Sequence, residues 1–148
     1  MAQVAAHGPR PRGGTHRRSP GGCGKRISVT VLDASAVLAY LQGEPGSEIV
    51  AGNLSGAVIG AANWAEVLSR FPGHVEMSLA TGIVTAQGVR IKPVSEADAR
   101  GAAVLRASRP HLSLGDRLCL ALAERRDSQV LTADRAWGTD GRIRQIRG

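Results

Sequence analysis

A chain of 148 residues, 43% hydrophobic and 21% charged, suits one ordinary soluble domain with a single core. No apolar stretch reaches the roughly 18 residues of a membrane span, and two cysteines in unrelated contexts, Cys23 and Cys119, exclude a disulfide or zinc framework. The formal net charge of +7 is mostly local: Arg10, Arg12, Arg17, Arg18, Lys25 and Arg26 lie in a segment without acids, which leaves positions 27–148 at +1.

That segment, residues 1–26, is Gly-, Pro- and Arg-rich without periodicity and is expected to be a disordered basic tail. It lacks the apolar stretch of a secretory signal, so a reducing cytoplasmic location is expected. The abrupt change at its end leaves open a misplaced start, with Val29 or Val31 as the native beginning. His7, His16, His74 and His111 show no ligand spacing.

From Ile27, "ISVTVLD" is β-branched and apolar, as in a strand covered on both faces of a parallel sheet. A helix over "SAVLAYLQGE" follows and ends at Gly43 and Pro45. "SEIVAGNL" predicts a short helix and "AVIGA" a second strand. In "NWAEVLSRF", Trp64, Val67, Leu68 and Phe71 make a helix stripe, which Pro72 and Gly73 interrupt. Residues 74–87 read as partly helical, weakened by Gly82 and two threonines. "VRIKPV" predicts an edge strand, and "SEADARGAAVLRAS" a helix opened by a capping box, with Gly101 as a blemish. "SLGDRLCLALAER" reads as a helix enclosed on every side. A strand over Gln129–Thr132 and a last edge strand in "GTDGRIRQIRG" complete an α/β domain over 27–148, with helices on both faces of a mainly parallel sheet.

Ligands of such sheets bind beyond the carboxyl ends of the strands, where Asp33 and Asp134 fall. Four acids, Asp33, Glu66, Asp116 and Asp134, stand at the boundaries of apolar elements. Asp33 interrupts an otherwise apolar run, and Ser35 could cap the following helix in its place, so Asp33 reads as functional. Glu66 alone reads as a solvated partner of Arg70 one turn on. Asp116, three residues after Ser113, fits a capping box as well as a site, and Asp134 fits a turn cap as well as a site. As a set the four suit an all-oxygen site for a hard divalent cation such as Mg²⁺, whose charge would relieve their mutual repulsion.

"VLDASAVLAYL", "NWAEVLSR", "LSLGDRLCLALA" and "VLTADRAW", in that order between about Thr30 and Trp137, resemble the motifs of PIN-domain ribonucleases, in particular VapC-like toxins of type II toxin–antitoxin modules. The resemblance implies a PIN-like three-layer α/β/α domain with about five strands and an endoribonuclease dependent on Mg²⁺ or Mn²⁺. It makes Asp33 and Asp116 the central metal ligands, completed by Glu66 and Asp134, with Ser35, Asn63, Ser113 and Thr132 as supporting groups. It also implies an RNA substrate, a small antitoxin partner and a possible homodimer. The short, proline-containing segment from Phe71 to Gly88 and the basic tail depart from the family pattern.

With 3% aromatic residues, base stacking is a minor resource, so RNA would be held by its backbone through arginines such as Arg70, Arg117 and Arg135. Two other classes compete. An aspartyl-phosphate phosphatase also places an Asp after its first strand, but it needs a second acid where this chain has Ser35. A non-catalytic interaction module would use the acids only as caps.

Overall fold

The structure, a computed structural model, describes residues 29–148. The expected tail over 1–26, with Ile27 and Ser28 of the first predicted strand, lies outside the described residues. In chain order the elements are β1 (Val31–Leu32), α1 (Ala34–Gln42), α2 (Ser47–Ala51), β2 (Val58–Gly60), α3 (Ala61–Leu68), α4 (His74–Ala86), β3 (Arg90–Lys92), α5 (Glu96–Ser108), α6 (Leu114–Arg125), β4 (Val130–Thr132), a single 3₁₀ turn (Arg135–Trp137) and β5 (Ile143–Gln145).

The five strands form one parallel sheet, as expected, and their order is β3-β2-β1-β4-β5, with the chain's last strand on one edge and "RIK" on the other. β1 is central. Val31 pairs in register with Val58 and Val130. These three valines face a core built with Cys119, Leu122 and Trp137, while Leu32, Ile59 and Leu131 face a second core with Val37, Val50, Val67 and Val84. Burial on both faces is why each strand reads as an unbroken apolar run rather than an alternating one. A crossover to each parallel neighbour passes over one face or the other, so all strand ends that matter for a ligand point the same way.

Three expectations change. Residues 74–86 form one continuous helix, in which the hydroxyls of Thr81 and Thr85 donate back to the carbonyls of Met77 (2.8 Å) and Thr81 (2.7 Å), a geometry that a helix tolerates. Gly101 is no blemish: a Cβ there would stand 3.0 Å from that of Ala121, so its absence permits the close contact of α5 with α6. Helix α6 is enclosed only over Cys119–Ala123; Leu114 is 60% exposed and Asp116 half-buried, so its first turn opens on solvent.

Asp98 shows how α5 is fixed to α6. Its carboxylate closes the capping box with Ser95 and takes Arg125 at 2.7 and 3.2 Å. Burial pushes Asp98 up, but the hydrogen bonds from Arg125 and Ser95 outweigh it and hold the carboxyl below its ordinary value. A lowered folded pKa gives stability that is present above the unfolded carboxyl value and is lost as pH falls through the folded one. Asp98→Ala should therefore cost about 1–3 kcal/mol at neutral pH and flatten the acid side of a stability curve measured by urea unfolding.

Candidate active site

Asp33 sits at the carboxyl end of the central strand, buried to 4% exposure, where α1 begins. It occupies the N-cap position but makes no side-chain cap hydrogen bond, so helix capping does not account for the acid. Its Oδ2 accepts two hydroxyls instead, Ser35 at 2.6 Å and Thr132 at 2.9 Å. Both hydroxyls have their own acceptor position filled from the end of β4: the Ala133 amide donates to Ser35 (2.9 Å) and the Asp134 amide to Thr132 (3.0 Å). Each O–H is thereby aimed at Asp33, and Oδ1 is the oxygen left for a ligand. Thus Ser35 is not a cap for α1 but a support for Asp33.

Asp116 belongs to the capping box of α6: Ser113 donates its amide to Oδ2 and accepts the Asp116 amide, both at 3.1 Å. Cap and site are one arrangement, because the box fixes the carboxylate at the helix N-terminus with its second oxygen unused by the box. Ser113 is outside the hollow itself and acts through this grip. Glu66 comes from α3. Among the described residues it makes no ion pair with Arg70, contrary to its reading in isolation; it faces Asp33 and Asp116 across the gap between α3 and α6. Asp134 caps the 3₁₀ turn by accepting the Ala136 amide at 2.9 Å.

All four acids line one open hollow of about 420 Å³ with Ala34, Ser35, Leu38, Ser69 and Arg70. A neighbouring hollow of about 330 Å³ shares Ser35, Leu38, Arg70 and Asp134 and runs on to Gln42, Glu44 and Arg147, so the site opens into a groove. Of the three arginines expected beside it, only Arg70 lines the hollow. Arg117 is turned to α5, where it donates to the Ala102 carbonyl at 2.8 Å, and Arg135 donates to the Gly148 carbonyl at 3.0 Å. Helix geometry explains Arg117: one residue after Asp116, it points about 100° away around α6.

Burial, then the Asp116 charge, pushes the Asp33 carboxyl up, and the two hydroxyls oppose the rise. Glu66 is also raised, by partial burial and then by the charges of Asp33 and Asp116. Removing one donor should shift this balance. Thr132→Val is expected to raise the Asp33 pKa further and move the acid limb of any activity that needs ionised Asp33 to higher pH, read from a pH–rate profile.

The donor set fits a hard divalent cation. It is all oxygen, anionic and uncompensated by an ion pair among the described residues, and two of its members, Asp33 and Glu66, are pushed toward protonation by burial and then by neighbouring carboxylate charge. Among the described residues no group of three or more His, Cys, Asp or Glu side chains is arranged to hold a metal ion by itself. An open set matches Mg²⁺, which keeps several waters and takes only one or two carboxylates.

The sequence reading missed Gly115, Leu38 and Ser69. Only Gly115 carried a signal, a glycine placed in the first turn of a helix directly before Asp116.

A protein-family profile described as "PIN domain" matches residues 30–138. The chain belongs to the PIN domain family. Among solved structures, this PIN domain is similar to a toxin–antitoxin complex from Klebsiella pneumoniae, with a TM-score of 0.68 and 16% identity over 79% of this chain and 97% of that one. It is also similar to VapC20 of Mycobacterium tuberculosis, described as a sarcin-ricin loop cleaving toxin, with a TM-score of 0.56 and 16% identity over 70% and 87% of the two chains. DNA-bound VapBC from Salmonella typhimurium gives a TM-score of 0.61 and 14% identity over 81% and 99%. At these identities the likeness is one of fold. No curated protein matches the chain significantly. No helix among the described residues is long and apolar enough to cross a membrane.

Proposed function

We propose that this PIN domain is an endoribonuclease dependent on Mg²⁺ or Mn²⁺ and the toxin component of a VapC-like toxin–antitoxin pair. The observation that carries the reading is the convergence of Asp33, Glu66, Asp116 and Asp134 on one hollow at the carboxyl edge of the sheet. Asp33 Oδ1 and the Asp116 carboxylate would hold the ion, with Glu66 and Asp134 completing the set directly or through water. When bound, such an ion supplies an activated water and stabilises charge on the phosphoryl oxygens.

The protein's own contribution is positional. Ser35 and Thr132 keep Asp33 oriented and favour its ionised form, the Ser113 box fixes Asp116, and Arg70 offers a guanidinium to the RNA backbone at the rim. The groove running toward Arg147 gives a strand a path past the acids. Neither a His nor a Cys nucleophile is required.

Support for a protein partner comes from α4, where Val75, Leu79 and Ile83 recur one turn apart and are 77%, 64% and 40% exposed. An apolar stripe of this kind suits an antitoxin segment or a second copy of the chain. The deciding experiment is sequencing of RNA ends after brief expression of the wild type beside Asp33→Asn. New ends at defined sites, present only with the wild type, are expected and would name the substrate. The same ends from both proteins would remove Asp33 from the chemistry and overturn the reading.

A further inference from the structure

Gly115 lies between the two members of the capping box, in the first turn of α6. Helix formation does not ask for glycine there, since alanine is the better helix former and the backbone is ordinary α. The space its side chain would fill is taken by Glu66. A Cβ on Gly115 would fall far inside contact distance of Glu66 Oε1 and 3.2 Å from its carboxyl carbon. The Gly115 carbonyl also accepts Asn63 Nδ2 at 3.1 Å, from a residue that is 1% exposed. Asn63 and Glu66 stand three apart on α3 and so share a side of that helix. Both meet the same bare residue of α6, one gripping its carbonyl and one lying over its Cα.

Resting on the reading of the acid hollow given above, we infer that Gly115 is a positioning residue, whose missing side chain admits the Glu66 carboxylate to the hollow beside Asp116 and Asp33. Its contact is with the end of a flexible side chain, so an added methyl would be accommodated by swinging Glu66 outward rather than by opening the fold. Gly115 touches no reacting atom; it acts through Glu66 alone.

The test is a double-mutant cycle on the full chain with Gly115→Ala, Glu66→Ala and the pair, read by Mn²⁺ binding in calorimetry without RNA and by thermal melting. Gly115→Ala should weaken Mn²⁺ binding roughly tenfold, as Glu66→Ala does, and the pair should lose no more than either alone. The melting midpoint should rise more when Gly115→Ala is made in the Glu66→Ala background than in the wild type, because the clash is then gone. Wild-type Mn²⁺ affinity in Gly115→Ala, or additive losses in the pair, would overturn the inference. Should Gly115→Ala fail to fold, the pair must fold, and an unfolded pair also overturns it. Should the wild type bind no Mn²⁺, the nuclease reading fails; the melting cycle then decides Gly115 by itself, equal increments in both backgrounds counting against it.

Discussion

Asp33→Asn is expected to lower Mn²⁺-dependent RNA cleavage by roughly a hundredfold to a thousandfold, the loss typical of one preorganised polar group in a sheltered site, and to raise the thermal midpoint of the metal-free protein. The two effects have one cause. Asp33 is held in a buried place where its charge is unwelcome: burial, then Asp116, raises its pKa against the pull of Ser35 and Thr132. Between the ordinary carboxyl value and this raised one, the folded state keeps a proton that the unfolded chain has released. Stability therefore falls as pH rises through that window and stays lower above it. Asn keeps the shape, still accepts the two hydroxyls and carries no charge, so both the penalty and its pH slope should vanish with the activity. A variant that melts higher yet cleaves like the wild type would detach Asp33 from the chemistry and leave it a merely unfavourable residue.

A comparable effect is expected from the cation itself. A ligand that binds only the folded state at about a hundred times its Kd adds about 2.7 kcal/mol, which for a domain of this size is a rise of roughly 10 °C in the melting midpoint. Mn²⁺ or Mg²⁺ should produce it in the wild type, a chelator should reverse it, and Asp33→Asn should show little of it. The opposing account has substance, because Asp116 and Asp134 both do serve as caps. If the acids were only caps, the wild-type midpoint would be the same with and without millimolar metal.

Much of this arrangement was legible before any coordinates. The strands announce themselves because parallel strands covered on both faces leave no polar alternation, and Asp33 is conspicuous because it ends such a run. The capping box of Asp116 was also visible, being a matter of residues three apart. What a single helix cannot reveal is what lies opposite it. Glu66 read alone pairs with Arg70, and only the packing of α3 against the first turn of α6 turns it toward Asp33. Arg117 went wrong for the same reason: adjacency to Asp116 in sequence is separation around a helix, and its guanidinium serves the Ala102 carbonyl. Gly101 looked like a flaw, and Gly115 drew no reading, because propensity counts a missing side chain as a loss, whereas tertiary contact can require the vacancy.

The two hydroxyls on Asp33 are each set by a backbone amide at the end of β4, Ala133 and Asp134, and the Asp33 amide in turn donates to the Leu131 carbonyl. Most sites carried on loops can loosen while the scaffold stays whole. Here the proton acceptors, the donors and the strand pairing of β1 with β4 belong to one cooperative unit in the middle of the sheet. Local fluctuation therefore has no inexpensive way to disarm this carboxylate: it is lost when the domain opens, and control of the proposed nuclease would come from something that covers the hollow rather than from something that melts it.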